Sequence, residues 1–491
     1  MSDHPSRAMS QLAQLFQNRL GSEGAIAALQ ASQIGHDVQI DGPFGPRRLV
    51  YCDYVASGRA LRAVEDVILN DVLPYYANSH TEASYCGAYM TLLRREARQI
   101  IASACNADDD FAVIFAGSGA TAGINRLVHL FGLDLSDGDP TQALVVIGPY
   151  EHHSNILPWR ESGAIVVEIA EAEGGGPDLA HLDRVLTEHA DKPLKIGSFS
   201  AASNITGVLT DPVPVTRLLK KHGARVIWDY AGGAPYLPIS MRAAPGLDLD
   251  AVIVSPHKFV GGPGASGVLI VRRAAVAVTR PTWPGGGTVR FAAPAFHDYS
   301  LMLEAREEAG TPNVLGDLRA ALAFLAKQAV GVDTIAKRNA ELVAKALDFF
   351  KGHPSIELLG ALDVPRLPFL SFRVRDGKGG YHHHQLVTRL LSDLYGIQAR
   401  GGCACAGPYV HRLLGIDPQA SAALRDQIMA GDELSKPGFI RLNLSYLLDD
   451  EEVEFILQSV SEIASDYEAH AGEYKVDAAR AIFRHGLTQA A

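Results

Sequence analysis

Residues 251–258 read Ala251-Val252-Ile253-Val254-Ser255-Pro256-His257-Lys258, a short apolar run that ends in a serine, a histidine and a lysine. A second apolar run, Val226-Ile227-Trp228, ends in Asp229. Short β-branched runs bounded by polar residues, glycine or proline are typical of buried strands. A lysine and an aspartate at the ends of two strands, with the glycine-rich segment 261–264 behind them, predict a polar ligand site at the carboxyl edge of a sheet.

The middle of the chain repeats this pattern and alternates it with helical segments, such as 179–189 and 214–222. That alternation favours an α/β fold, in which helices cover both faces of a mostly parallel sheet. The predicted strands are 113–115, 143–147, 164–167, 195–199, 226–228 and 252–254.

The pattern changes after residue 314, where two long helices are followed by strands mixed with further helices. Asp449 and Glu452 have the spacing of a capping box ahead of the last helix. A chain of 491 residues also exceeds one ordinary core. We therefore expect four units. Residues 1–47 form an N-terminal segment that packs on the small domain, and residues 48–314 form the large domain. Residues 315–470 form the smaller α+β domain, and residues 471–491 form a tail that is a peripheral helix or a frayed end.

Composition narrows the classes of function. Apolar residues make up 47% of the chain and charged residues 20%, as in folded soluble proteins. The net charge of −11 argues against nucleic acid or an anionic membrane as partner. No apolar run approaches the ~20 residues that span a bilayer, and residues 1–21 lack a signal-peptide core. Five cysteines are too few for a disulfide scaffold, so a reducing cytoplasm is expected.

Lys258 and Asp229 together predict a pyridoxal phosphate site. A lysine amine forms a Schiff base with the aldehyde of this cofactor. An aspartate keeps the pyridine nitrogen protonated, so that the ring can accept electrons. The chain is then an enzyme whose reactions take place at the alpha and beta carbons of an amino acid.

Residues 117–121, Gly-Ser-Gly-Ala-Thr, follow a predicted strand and open a predicted helix at 123–131. Backbone amides at such a turn, with the helix dipole, form an anion site to which Thr121 adds a hydroxyl. The same glycine-rich segment is also a common turn. The presence of Asp229 and Lys258 favours the phosphate-binding interpretation.

Two further segments follow strand ends. Residues 151–155, Glu-His-His-Ser-Asn, supply an imidazole that can stack on a pyridine ring and move protons, although histidines at a surface or on a metal are the alternatives. No regular metal spacing and no carboxylate set accompany them, so no metal site is expected. The second segment, 203–207, follows the predicted strand 195–199. Its Asn204 can donate a hydrogen bond to a phenolic oxygen of the cofactor, or it can form a simple Asx turn.

Residues 400–408 place Cys403 and Cys405 in a flexible glycine loop beside Arg400. A nearby cation favours the thiolate, which is the nucleophilic form of cysteine. The alternatives are a zinc half-site that lacks further ligands, a disulfide that the cytoplasm disfavours, and two small residues that fill a tight loop.

The chain resembles the class V aminotransferase family of pyridoxal phosphate fold type I, in its cysteine desulfurase and selenocysteine lyase branch. That fold implies a large domain with a mostly parallel, seven-stranded type of sheet. The resemblance extends from about residue 49 to about residue 461. It rests on the segments 51–57, 117–121, 151–155, 203–207, 229–231, 255–258, 310–312 and 400–405.

The resemblance implies roles around the cofactor. Lys258 forms the Schiff base and shuttles protons, Asp229 pairs with the pyridinium, His152 stacks on the ring, and Asn204 contacts the phenolic oxygen. Thr311 completes the phosphate site from a neighbouring subunit, which implies a homodimer. The remaining cofactor-binding residues are Gly119, Ala120, Thr121, Ser255 and His257.

The resemblance also implies a reaction. Arg400 and Arg441, with Asn204, hold the carboxylate of a cysteine-like substrate. Cys405 accepts the sulfur (or selenium) as a persulfide while alanine is released, and a sulfur-acceptor protein is a possible partner. The competing hypotheses are an aminotransferase, epimerase or other amino-acid lyase that does not use the thiol, and a non-catalytic scaffold, against which the complete residue set argues.

Three departures from the family pattern lie on the substrate side. Gly232 stands where desulfurases typically carry a glutamine. Cys403 adds a second thiol, which either resolves the Cys405 persulfide by thiol exchange or only fills space. Residues 409–437 form a longer stretch than expected before Arg441, with a helix predicted at 420–430.

Overall fold

The computed structural model describes residues 9–21, 24–79, 81–134 and 139–486. A seven-stranded sheet forms the centre of the molecule. Its strands are short and mostly buried, as the apolar runs predict, except that the edge strand Ile165–Glu168 is only partly buried. They are β1 (Phe111–Phe115), β2 (Ala143–Ile147), β3 (Ile165–Glu168), β4 (Leu194–Ser200), β5 (Arg225–Asp229), β6 (Ala251–Val254) and β7 (Val268–Arg272).

The strand order is β1-β7-β6-β5-β4-β2-β3. Strands β2 to β6 pair in parallel, and β7 runs antiparallel to both of its neighbours. The prediction of a mostly parallel sheet is confirmed. Strand β7 was not predicted from the sequence; it lies close behind β6, with a 3₁₀ turn but no α-helix between them.

Both faces of this sheet are covered. Val226 and Trp228 belong to one apolar cluster, whereas Ile227 between them belongs to another on the opposite face. This alternation along one buried strand is the pattern expected when helices lie on both sides. The helices of this part are Arg62–Asp66, Tyr85–Ala104, Ala120–Leu130, Leu157–Glu161, Leu179–Glu188, Pro212–Lys221 and Leu303–Glu307.

A second, antiparallel sheet forms the core of the C-terminal part. Its strands are β8 (Ile356–Leu358), β9 (Phe369–Val374), β10 (Arg400–Gly402) and β11 (Phe439–Asn443), in the order β8-β9-β11-β10. The capping box is confirmed, since the side chains of Asp449 and Glu452 each accept the other's backbone N–H. The helices here are Val314–Val330, Val332–Phe350, His384–Tyr395, Gly407–Leu414, Pro418–Met429 and Asp450–Ala471.

The N-terminal segment contacts both parts of the molecule. Helices Gln11–Leu20 and Ala25–Ser32 bury Leu12, Phe16 and Leu29 in the core of the large sheet. Strand Arg47–Arg48, by contrast, contacts helix His384–Tyr395 of the C-terminal part. The division of the chain into domains stays a prediction.

The end of the chain differs from the expected helix or frayed tail. Strands Tyr474–Asp477 and Ile482–His485 form an antiparallel hairpin, while residues 487–491 lie outside the described residues. Tyr474 and Phe483 pack against the core of the smaller sheet, and the Tyr474 hydroxyl donates to Asp393 Oδ2 at 2.8 Å. Burial of these aromatic side chains outweighs the weak local preference of the segment.

Shorter elements complete the description. A π-helical turn and several 3₁₀ turns connect the main elements, at Val67–Val72, Leu73–Tyr75, Pro140–Gln142, His153–Asn155, Pro256–Lys258, Arg273–Ala275 and Glu433–Ser435. Short strand pairs are Gln39–Ile40 with Arg47–Arg48, Val50–Tyr51 with Ile397–Gln398, Arg242–Ala244 with Leu247–Asp248, and Val289–Ala292 with His297–Tyr299. Among the described residues, no helix combines the length and apolarity needed to cross a bilayer.

A buried ion network fastens the segment ahead of helix Val314–Val330 to strand β1. Glu308 accepts hydrogen bonds from Arg94 at 2.6 Å, from Arg98 at 2.8 Å and from the Phe115 backbone N–H at 2.8 Å. Burial alone would raise the pKa of Glu308, but the Arg98 and Arg94 guanidiniums outweigh it and lower that pKa. The network therefore fixes the chain immediately before the 310–312 loop.

Glu308→Gln should lower the free energy of unfolding by about 3–5 kcal/mol at pH 7, because Arg98 loses its charged partner and Arg94 keeps only its salt bridge to Asp317. The measurement is urea unfolding followed by circular dichroism. Since the pKa of Glu308 is lowered on folding, the difference from wild type should shrink as pH falls below the unfolded value of about 4.3.

Glu65→Gln is the matched control, since Glu65 pairs with Arg319 in a more exposed salt bridge. Its cost should stay below about 1 kcal/mol. Equal costs for the two substitutions would contradict the structural role of the Glu308 network.

Candidate active site

Adjacent parallel strands bring Asp229 and Lys258 into one cavity. Asp229 ends β5 and pairs in register with Ile253 of β6, and Lys258 follows β6 by four residues. Both side chains line a cavity of about 240 Å³ at the carboxyl edge of the sheet. Asp229 Oδ1 accepts the Ala231 backbone N–H at 2.7 Å, which fixes the carboxylate at the end of its strand.

Burial controls the charges of this pair. It lowers the pKa of Lys258 to about 8, against the opposing pull of the Asp229 carboxylate. Burial also raises the pKa of Asp229, although the Ala231 N–H and the Lys258 charge work in the other direction. More of the Lys258 amine is therefore unprotonated near neutral pH than in an ordinary lysine, and only the unprotonated form is nucleophilic.

One end of the cavity has the donors of an anion site. Gly119 adopts a φ of 80°, and a Cβ there would lie 2.9 Å from Ser255 Oγ. Ala120 N–H, at the start of the helix, donates to Ser255 Oγ at 3.0 Å, and Thr121 lines the same space. Burial lowers the pKa of His257 to about 4, so its ring, which lines the same space, is neutral. These groups match the requirements of a phosphate at a helix N-terminus.

His152 lies over the cavity in a defined tautomer. Its Nδ1 accepts the Ser154 backbone N–H at 3.1 Å, so the ring proton of the neutral form is on Nε2. Burial, aided by the Lys258 charge, lowers the pKa of His152 to about 4. Ser154 Oγ also lies 2.6 Å from Thr121 Oγ1, which links the imidazole to the anion end. Ser154 lies within the segment 151–155, but its position in the sequence indicates no role for it.

Glu151 is a buried carboxylate beneath the site that the sequence analysis did not assign. It accepts Ser200 N–H at 2.7 Å, Ser200 Oγ–H at 2.6 Å and Asn155 Nδ2–H at 2.5 Å. Burial raises its pKa to about 7 despite these donors. Ser200 stands opposite Asp229 in the β4–β5 ladder, so this cluster supports the floor on which Asp229 lies.

Asn204 has one amide atom that needs a partner. Its side-chain Nδ2 donates to the Ala404 backbone carbonyl at 2.8 Å, and its backbone carbonyl accepts from Arg441 Nη1 at 2.8 Å. The buried Oδ1, however, has no hydrogen-bond partner among the described residues. An unsatisfied buried acceptor costs free energy, so a donor from a bound molecule would be stabilising here. Asn204 lines the cavity, and its contact with a phenolic oxygen stays a prediction.

The cysteine loop is tied to the cavity through its backbone. Ala404 and Cys405 adopt positive φ angles of 49° and 56°. The Cys405 carbonyl accepts His153 N–H at 2.8 Å, and Gly407 N–H donates to His153 Nε2 at 3.0 Å. Cys405 is exposed, whereas Cys403 is half-buried against the apolar cluster around Tyr409. Both thiols are free.

Arg400 and Arg441 meet at one carboxylate that the sequence analysis overlooked. Asp53 Oδ2 accepts from Arg400 Nε at 2.9 Å, and Asp53 Oδ1 accepts from Arg441 Nη2 at 2.9 Å. Burial lowers the pKa of Arg441, against the effect of Asp53. Asp53 lies in the quoted segment 51–57, but only the fold reveals its partners.

Three other residues or segments of interest lie as follows. Thr311 is exposed and does not line this cavity within the same chain. Gly232 lines the cavity, and a Cβ there would approach Ala202 O at 3.4 Å, an ordinary contact. The 409–437 stretch contains helix Pro418–Met429, none of whose residues is fully buried. No cluster of metal-binding side chains occurs within the part of the chain that the structure describes.

The cavity fits pyridoxal phosphate on chemical grounds. It has an anion end, a neutral imidazole, a carboxylate that can pair with a pyridinium, a reactive lysine and an unsatisfied amide oxygen. Gly119 leaves the space that a side chain would take.

Comparison with known proteins supports this interpretation. The family model for class V aminotransferases matches residues 50–455. A cysteine desulfurase of Klebsiella pneumoniae is 30% identical over 369 residues, which cover 74% of this chain and 86% of that protein. A probable cysteine desulfurase of Pyrococcus abyssi is 27% identical and covers 78% of this chain and 90% of its own length.

Solved structures show the same fold. An apo cysteine desulfurase of Thermococcus onnurineus superposes with a TM-score of 0.70 at 23% identity, covering 85% of this chain and 95% of that one. A cysteine desulfurase of Escherichia coli gives a TM-score of 0.70 at 22% identity, covering 90% and 98%. The chain therefore belongs to the class V aminotransferase family, and this membership implies an enzyme with pyridoxal phosphate as its cofactor.

Proposed function

We propose that the protein is a cysteine desulfurase-like enzyme that removes sulfur, or selenium, from a cysteine-type amino acid and releases alanine. The observation that carries this proposal is the position of Cys405. Its carbonyl is bound by His153, next to His152 of the cofactor cavity, while Asn204 of the cavity binds the preceding Ala404. An exposed thiol is thus carried on a loop whose backbone is hydrogen-bonded to Asn204 of the cavity and to His153. The named relatives support the same activity.

Pyridoxal phosphate, when bound, supplies an electron sink that labilises bonds at the alpha and beta carbons of an amino acid. Lys258 would hold it covalently, Asp229 would pair with its pyridine nitrogen, and His152 would cover its ring. Its phosphate would be held by Gly119, Ala120, Thr121, Ser255 and His257.

Residues of this chain then bind the substrate, move a proton and attack the sulfur. Arg400 and Arg441 bind the alpha-carboxylate, which fixes the orientation of the amino acid. Lys258, once free, moves a proton at the substrate alpha carbon. The Cys405 thiolate attacks the substrate sulfur: a sulfur–sulfur bond forms, the carbon–sulfur bond breaks, and its electron pair stays with the carbon skeleton, which takes up a proton and leaves as alanine.

The competing hypothesis is an aminotransferase, epimerase or other lyase in which Cys405 is a spectator. A spectator loop would have no need of backbone contacts to His153 and Asn204. Gly232 and the 409–437 stretch change the surroundings of the substrate and leave these contacts in place.

The oligomer, compartment and partner belong to the same proposal. A homodimer would bury the exposed apolar side chains of Trp283, Phe291 and Phe296, and it would bring Thr311 to the phosphate of the neighbouring subunit. Free thiols in all five cysteines suit a reducing cytoplasm. The exposed position of Cys405 would let a sulfur-acceptor protein reach its persulfide.

Cys405→Ala should lower the rate at which alanine and sulfide form from L-cysteine by about a thousandfold or more, because the nucleophile is lost. Both products are measured with a reducing thiol present, and the visible absorbance of the bound cofactor is recorded in parallel. That absorbance should match wild type, since Cys405 does not hold the cofactor.

Cys403→Ala is the matched control in the same loop. Alanine formation should persist, and any change in sulfide release would indicate exchange between the two thiols. Full activity of Cys405→Ala would instead show that Cys405 is a spectator. A wild-type enzyme that holds its cofactor yet forms neither product would direct the search to other amino acids.

The pKa of Lys258 predicts how the apoprotein takes up its cofactor. Because burial lowers that pKa to about 8, the rate of covalent uptake should rise from pH 6 to about 8 and then level off. An ordinary lysine would continue to gain rate up to about pH 10.4. Stopped-flow absorbance of added pyridoxal phosphate gives the profile.

Asp229→Asn tests the cause of this profile. The Asp229 charge favours the protonated amine, so its removal should move the rise to lower pH. Lys258→Ala should show no covalent uptake at any pH. A rise that continues to pH 10 in wild type would contradict the assigned pKa of Lys258.

A further inference from the structure

Arg400 and Arg441 are directly opposite each other in the β10–β11 ladder. Like charges at opposed positions of an antiparallel pair destabilise the sheet. Arg441 is also 4% exposed, so its charge is far from bulk water. A buried cation beside a second cation requires a compensating anion.

The fold supplies that anion from a distant part of the chain. Strand Val50–Tyr51 pairs in parallel with Ile397–Gln398, directly before β10. The backbone of Cys52 then forms hydrogen bonds to two chain segments. Its N–H donates to Gln398 O at 3.0 Å, and its carbonyl accepts from Asn443 N–H at 2.8 Å. This backbone clamp delivers the next residue, Asp53, between the two guanidiniums.

The two arginines depend on Asp53 to different degrees. Arg441 is also bound to the Asn204 carbonyl at 2.8 Å. The hydrogen bonds of the Arg400 side chain within the described residues go to Asp53, and that side chain is 48% exposed. Without Asp53, Arg400 would therefore be free to turn toward solvent, whereas Arg441 would keep one contact.

We infer that Asp53 is a positioning residue that holds Arg400 and Arg441 together as a receptor for one carboxylate. The two guanidiniums and the Asp53 carboxylate leave one net positive charge, which one substrate carboxylate neutralises. Asp53 thus sets the preference for alpha-amino acids over amines that lack the carboxylate. The inference rests on the proposed function only in assigning the substrate carboxylate to these arginines.

The test compares the binding of L-alanine and ethylamine to the cofactor-loaded enzyme by calorimetric titration. The two ligands share the amine and the methyl group and differ in the carboxylate, so their affinity ratio reports carboxylate recognition. Asp53→Asn should reduce this ratio by about tenfold to hundredfold, the range for a lost charged hydrogen bond. Ethylamine affinity should change little. Glu65→Gln, which breaks the remote pair with Arg319, should leave the ratio at the wild-type value.

A second variant covers the case in which Asp53→Asn fails to fold. Arg400 is half-exposed, so Arg400→Gln should fold and should lose the preference by about tenfold or more. Where Asp53→Asn folds, adding it to Arg400→Gln should cost much less than it does alone, because Asp53 acts largely through Arg400.

Two results would overturn the inference. One is an unchanged L-alanine to ethylamine ratio in folded Asp53→Asn, or in Arg400→Gln. The other is an equal loss of affinity for both ligands, which would indicate a general structural defect. Failure of the proposed reaction is distinguishable, because wild type would then prefer L-alanine and still form no sulfide from L-cysteine.

Discussion

The pairing of β5 with β6 is the constraint on which the site depends. Parallel neighbours end at the same edge of a sheet, so the residue that ends β5 and the turn after β6 face one space. Asp229 and Lys258 are placed there by the register of buried apolar strands, whose burial on both faces resists a shift in pairing. The chemistry of the cavity is thus a consequence of where two hydrophobic runs stop.

Burying this many ionisable groups has a common effect on all of them. Lys258, His152 and His257 are pushed toward their neutral forms, and so is Glu151. A neutral lysine can react with an aldehyde, and a neutral imidazole can lie beside a cationic ring without repulsion. The low polarity that makes these charges costly therefore prepares the groups for covalent cofactor chemistry.

Local pattern and long-range contact explain what could be predicted from the sequence. The strands that end at Asp229 and precede Lys258 were predictable, because short β-branched runs followed by polar residues are local features. Asp53 was not, because its partners Arg400 and Arg441 lie more than 340 residues away along the chain. The terminal hairpin 474–485 was missed for a similar reason, since its aromatic residues are stabilised by a core built from other segments.

The cysteine loop combines an exposed thiol with a fixed backbone. Two consecutive non-glycine residues in the left-handed region cost roughly 1–2 kcal/mol each. The carbonyls of Ala404 and Cys405 accept hydrogen bonds from Asn204 and His153, and these contacts offset that cost only when Asn204 and His153 are themselves in place. The backbone of the loop is thereby coupled to the cofactor site, while the Cys405 side chain stays in solvent. The proposed reaction needs both properties, since the thiol would take sulfur from a substrate in the cavity and then pass it to an external acceptor, and a loop hydrogen-bonded at two carbonyls provides them.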